Sequence, residues 1–93
     1  MQAPTLRDVY RAKKTIAPYI PRTPLHYSAG LSEMLDAEVY LKHEEYLPLG
    51  AFKGRGGINL LANLTEEEKQ RGLITASTGN HGQSVASAGK IFG

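Results

Sequence analysis

The chain predicts an α/β fold with a parallel sheet, because short strand signals alternate with helical stretches in the order helix, strand, helix, strand, helix. Two further observations point the same way. The second strand signal, Leu73-Ile74-Thr75-Ala76, is a short apolar run of the kind buried in parallel sheets. The polar turn Ser77-Thr78-Gly79-Asn80-His81-Gly82 follows it directly and opens a helix. Composition agrees with a folded domain: 41% of the 93 residues are apolar and 22% are charged. The length is at the low end for one domain.

Composition also excludes function classes. With no cysteine, disulfide scaffolds, thiolate metal sites and thiol nucleophiles are out. Eleven basic and nine acidic residues leave a net charge of +2, too small to argue for nucleic acid. No apolar run approaches the roughly 18 residues that cross a bilayer. Met1-Gln2-Ala3-Pro4 shows no signal-peptide core. The expectation is a cytoplasmic protein that engages neither nucleic acid nor membrane.

The elements follow in order. Thr5 is a helix N-cap with Asp8 three residues on, at the positive end of the helix. Leu6, Val9, Tyr10 and Ile16-Ala17 form an apolar stripe interrupted by Lys13, and Pro18 and Pro21 end it. Pro24 to Tyr27 is a short extended candidate. Ser28 caps a short helix through Leu31, Met34 and Leu35. Glu38 to His43 alternates and reads as a strand. Glu44 to Lys53 is a loop broken by Pro48 and Gly50. Ile58 to Leu64 has helical spacing. Thr65 and Glu68 form a capping box, and Gly72 ends that helix. Gln83 to Phe92 is the last helix, with Val85, Ala88, Gly89 and Phe92 on one face.

Two segments carry chemistry. Gly50-Ala51-Phe52-Lys53-Gly54-Arg55-Gly56-Gly57 holds four glycines in eight residues, which permits unusual backbone angles and makes a poor helix by propensity. Lys53 falls at or just before a helix start, where the partial positive charge disfavours an ammonium. Arg55 is expected to add a second cation, and both effects favour the neutral amine that a Schiff base requires. A flexible loop with a solvated lysine is the plain alternative. In the second segment, Ser77 to Gln83, outward backbone N–H groups at a helix start suit a carboxylate or phosphate, with the Ser77 and Thr78 hydroxyls as further donors. Ordinary N-capping by Ser, Thr or Asn is the alternative there. Gly82, Ser84, Ser87 and Gly89 are small enough for close helix packing. No metal-ligand spacing appears: His26, His43 and His81 are far apart in sequence, and the Glu44–Glu45 pair reads as solvated or structural.

Together the two segments resemble the pyridoxal-phosphate enzymes of fold type II. Leu41-Lys42-His43-Glu44, the Lys53 segment and Ser77 to Gln83 occur in collinear order, and Arg22-Thr23-Pro24-Leu25 is similar to the threonine/serine dehydratase and serine racemase branch. The resemblance implies a three-layer α/β/α fold like the tryptophan synthase β chain. It implies pyridoxal 5'-phosphate held covalently by Lys53, with Phe52 beside the ring and Asn80 at the ring hydroxyl. It implies that Ser77, Thr78, Gly79, Asn80 and His81 receive the α-carboxylate of an amino-acid substrate. The implied reaction is β-elimination to a 2-keto acid and ammonia, with Lys53 as the base.

The chain departs from that pattern at several positions. Ala51 stands where the family usually has Ser, and Leu47 and Leu49 stand where Gln and Thr are frequent. Thr78 occupies a position that is Ser in the racemases, where it serves as a base; its hydroxyl keeps it a catalytic candidate, while its bulk favours the dehydratase over the racemase. The glycine-rich phosphate loop and the pyridine-nitrogen partner have no counterpart in residues 1–93. The expectation is therefore an N-terminal part of a longer catalytic domain, reaching into the start of the smaller subdomain, inactive alone and homo-oligomeric at full length. The rival readings are a catalytically silent anion-binding remnant and a nucleotide-binding α/β piece. The latter lacks any Walker or dinucleotide fingerprint.

Overall fold

A computed structural model describes residues 2–93 of the chain. Helix α1 spans Leu6–Ile16 and opens as its capping residues dictate: Thr5 N–H donates to Asp8 Oδ2 at 2.8 Å, and Asp8 N–H returns to Thr5 Oγ1 at 3.4 Å. Its apolar stripe is only partly used. Ile16 is buried, while Leu6, Val9 and Tyr10 are exposed.

Strand β1 (Leu25–Tyr27) pairs antiparallel with β2 (Tyr40–Lys42), placing His26 opposite Leu41 and Tyr27 opposite Tyr40. Between them lies α2 (Ala29–Leu35), with Ser28 as N-cap. Ser32 Oγ, on a buried residue, accepts from Val39 N–H at 2.9 Å and fixes the return of the chain toward β2. The chain turns at Asp36 in the left-handed region, which a short polar side chain tolerates.

A single 3₁₀ turn, Glu44–Tyr46, leads into a loop whose tight turn needs Gly50 at φ 64°. Helix α3 spans Lys53–Ala62, and α4 spans Glu66–Arg71 behind the Thr65–Glu68 capping box. Helix α5 runs Asn80–Phe92.

Helix α3 begins at Lys53, where the sequence places a helix start, and it takes in Gly54, Gly56 and Gly57 although their propensity argues against helix. The propensity cost of about 1 kcal/mol per glycine is overridden by packing against α5. A β-carbon at Gly57 would lie 2.2 Å from Ser84 Oγ and 2.7 Å from the Ser84 carbonyl oxygen, so only glycine fits at this crossing. Two expectations need correction: α5 starts at Asn80, three residues earlier than the periodicity predicts. Finally, Leu73–Ala76 is neither strand nor buried; Ile74 is fully exposed. An isolated extended segment has no ladder to satisfy its backbone, and among the described residues the one sheet is the antiparallel β1–β2 pair.

The core is small. Ile16, Ile20, Leu47, Ile58, Leu61 and Ala88 cluster, with Leu64 and Phe92 against them. The Tyr19 and Phe92 rings meet edge to face at 5.0 Å. Most of this contact joins α3 to α5, and α1 packs on α3.

Candidate active site

Helices α3 and α5 run side by side in the same sense. The first turn of α3 meets Ser84 near the start of α5, and Leu61 and Leu64 at the far end of α3 gather with Gly89 and Phe92 of α5 around one cavity of about 280 Å³. Their N-termini therefore lie at one end of the pair. Lys53 is the first residue of α3, and Asn80 is the first residue of α5.

The structure gathers the sequence-predicted residues at that end. Lys53 is exposed, its Nζ 5.5 Å from the centre of the Phe52 ring, and it has no carboxylate partner among the described residues. Ser77 and Thr78 lie in the segment leading to α5, Gly79 is the N-cap, and Asn80 and His81 form the first turn, all of them exposed. No side chain caps this helix. Ser77 Oγ instead accepts from Gly79 N–H at 3.1 Å, closing a local turn. The capping alternative thus fails, and the first amides of α5 are left for an outside acceptor. Lys53 and residues 77–81 are all exposed, so the site is an open face.

One electrostatic expectation is overturned. Arg55 is not a free cation beside Lys53. Its guanidinium grips Glu44 through two hydrogen bonds, Nε to Oε2 at 2.6 Å and Nη2 to Oε1 at 2.9 Å. Thr23 Oγ1 adds a 2.6 Å bond to the same carboxylate, and Lys42 Nζ donates to the Thr23 carbonyl at 2.7 Å. Arg55, aided by Thr23, holds the Glu44 carboxyl down at about 2. Glu44 is structural, as the sequence reading expects. It joins β2, α3 and the segment before β1 behind the lysine.

The sequence did not reveal two groupings. The Glu44–Arg55–Thr23 network has no local signal, because its members are 11 and 21 residues apart. His26, His43 and Glu45 are also brought together, with the two imidazoles stacked and His43 bonded to both His26 and Glu45. Pairing β1 with the end of β2 is the signal that predicts this meeting. Among the described residues, no group of three His, Asp or Glu side chains could hold a metal.

The chain is similar to known proteins along nearly its whole length. The sequence profile of the family described as "Pyridoxal-phosphate dependent enzyme" covers residues 16–93. The chain belongs to this family. Over 89 residues it is 48% identical to the L-threonine ammonia-lyase of Thermotoga maritima, covering 96% of this chain and 22% of that protein. It is 38% identical to the L-threo-3-hydroxyaspartate ammonia-lyase of Saccharomyces cerevisiae, covering 99% of this chain and 28% of that one. The solved structure of maize serine racemase superposes with a TM-score of 0.87 at 36% identity, over 97% of this chain and 28% of that chain. The fold is that of the N-terminal portion of the fold type II enzymes. The chain spans about a quarter of the length of these relatives.

The residues present fit the family's cofactor. Lys53 offers an amine without a carboxylate partner, Phe52 an exposed aromatic face beside it, and α5 a row of uncapped amides for an anionic group.

Proposed function

We propose that residues 1–93 serve as the N-terminal part of a pyridoxal-phosphate-dependent catalytic domain, reaching into the start of its smaller subdomain, that deaminates threonine or serine to a 2-keto acid and ammonia. The observation that carries this reading is the pairing of Lys53 with the uncapped start of α5 at one end of two same-sense helices. The ammonia-lyase relatives support the reaction class.

When bound, the cofactor supplies an electron sink for charge developing at the substrate Cα. The chain's own residues do the rest. Lys53 Nζ would anchor the cofactor, and Phe52 and Asn80 would hold its ring. The amides of Asn80 and His81 beyond the Gly79 N-cap, with the Ser77 and Thr78 hydroxyls, would bind the substrate carboxylate and so orient the Cα–H bond. The Lys53 amine, when free, would take the Cα proton as general base. The β-hydroxyl then departs as water, and hydrolysis consumes one water to release ammonia, so the net change is loss of ammonia alone. A racemase is the second reading, favoured by the maize serine racemase likeness. Thr78 would then be the hydroxyl on the opposite face of Cα. In the complete protein we place this chemistry in the cytoplasm, within a homo-oligomer.

Borohydride reduction of the complete natural gene product loaded with pyridoxal phosphate, followed by peptide mass mapping, tests the assignment. The label is expected on Lys53; a label on another lysine overturns it. Keto acid release from L-threonine or L-serine, against formation of the D-isomer, separates lyase from racemase.

A further inference from the structure

Ser84 has no assigned role in the chemistry above, yet its side chain is the contact that ties the two halves of the site together. The residue is 1% exposed and sits one turn into α5, four residues after Asn80. Its hydroxyl donates to the backbone carbonyl of Lys53 at 2.6 Å, across 31 residues of sequence. A carbonyl oxygen has two acceptor sites, so this bond adds to the helical one that the first carbonyl of α3 already makes. On the other side, Gly57 brings the α3 backbone so near that a β-carbon would collide with both the Ser84 hydroxyl and its carbonyl. Lys53, Gly57 and Ser84 therefore form a clasp: the glycine lets the helices close, and the hydroxyl fixes where the lysine stands relative to the start of α5.

We propose that Ser84 is a positioning residue, holding the Lys53 backbone at a set distance and angle from the Ser77–His81 turn. The proposal rests on the reading of Lys53 as cofactor anchor and of that turn as the carboxylate site. A lysine one covalent frame away from a fixed carboxylate site must meet the Cα proton along one line, and small misplacements of reacting groups reduce rate steeply. Removing the Ser84 hydroxyl leaves both helices in place but loosens the one polar tie between them.

The test compares Ser84→Ala with Ser32→Ala in the complete, cofactor-loaded gene product. Ser32 is also buried, and its hydroxyl also serves the backbone, at Val39 in the β1–β2 region. It is thus a control for the loss of a buried hydroxyl away from the site. In Ser84→Ala, borohydride still labels Lys53, the pH midpoint of the cofactor's visible absorbance moves by about 0.5 unit or more, and kcat falls roughly 10-fold with KM little changed. In Ser32→Ala the melting temperature falls while midpoint and kcat stay at wild-type values. A Ser84→Ala enzyme with Lys53 labelled and with wild-type midpoint and kcat overturns the proposal. Equal shifts in the two variants overturn it as well, since the effect is then general loosening. Absence of label at Lys53 in the wild type removes the underlying assignment, and the positioning role with it, by a different readout.

Discussion

Glu44 shows how one side chain can brace a site without entering it. Its carboxylate receives Arg55 and Thr23 and so ties the start of α3 to the chain around β1 and β2. Its folded-state pKa of about 2 lies below the ordinary 4.5, so its stabilising contribution is whole above about pH 4.5. That contribution is lost as pH falls toward 2. Glu44→Gln should lower stability at pH 7 by about 1–2 kcal/mol, the pair being partly solvated. Thermal melts of wild type and variant across pH should show a gap that is constant near neutrality and closes between pH 4.5 and 2. A gap that persists at pH 2 would assign the effect to packing instead. The same network explains why the sequence misjudges Arg55. A guanidinium two residues from Lys53 reads as a neighbouring charge, and only the folded loop from Glu44 to Phe52 supplies its counter-ion.

Among the elements, the crossing of α3 and α5 decides the geometry. Gly57→Ala should destabilise by about 1–3 kcal/mol, because the Ser84 carbonyl cannot rotate away from the added methyl. Gly56→Ala, one position earlier, has no atom within 4 Å of the new methyl and should stabilise by up to about 1 kcal/mol through helix propensity. Denaturant titration of the two variants checks this opposition in sign; the same sign for both would refute a contact-specific role. The caps at Thr5, Ser28 and Thr65 were legible in the sequence because the groups they satisfy lie within three residues. The start of α3 at Lys53 was legible, but its passage through three glycines was not, since they argue against helix locally and the opposing force comes from α5. The site was legible as a pair of motifs. Its hidden brace was not, because Ser84 gains meaning only from the chain beside it. Leu73–Ala76 reads as strand by composition, but a strand exists only with a neighbour to bond.

The whole molecule is drawn out rather than round. Its radius of gyration is 16.1 Å and it measures 52 × 29 × 26 Å, whereas a compact domain of this length has a radius near 12 Å. Its accessible surface is 7388 Å², against about 5,300 Å² for a self-contained monomer of this mass. Apolar side chains left in water, among them Leu6, Val9, Tyr10, Met34, Leu35 and Ile74, contribute to the excess. The 93-residue chain by itself should therefore unfold over a broad temperature range and release no keto acid from threonine or serine. Calorimetry and a keto acid assay check both, and a sharp transition with turnover would contradict the reading.

The bond from Ser84 to Lys53 also bears on how the site comes into being. Its partners are separated by 31 residues, and the chain must travel back along the length of α3 before α5 can begin beside it. The lysine gains its setting only when that long loop closes and α5 packs on α3. Assembly of the site is then expected late in folding, after that loop has closed. Lengthening the connector slows arrival while leaving the finished geometry intact.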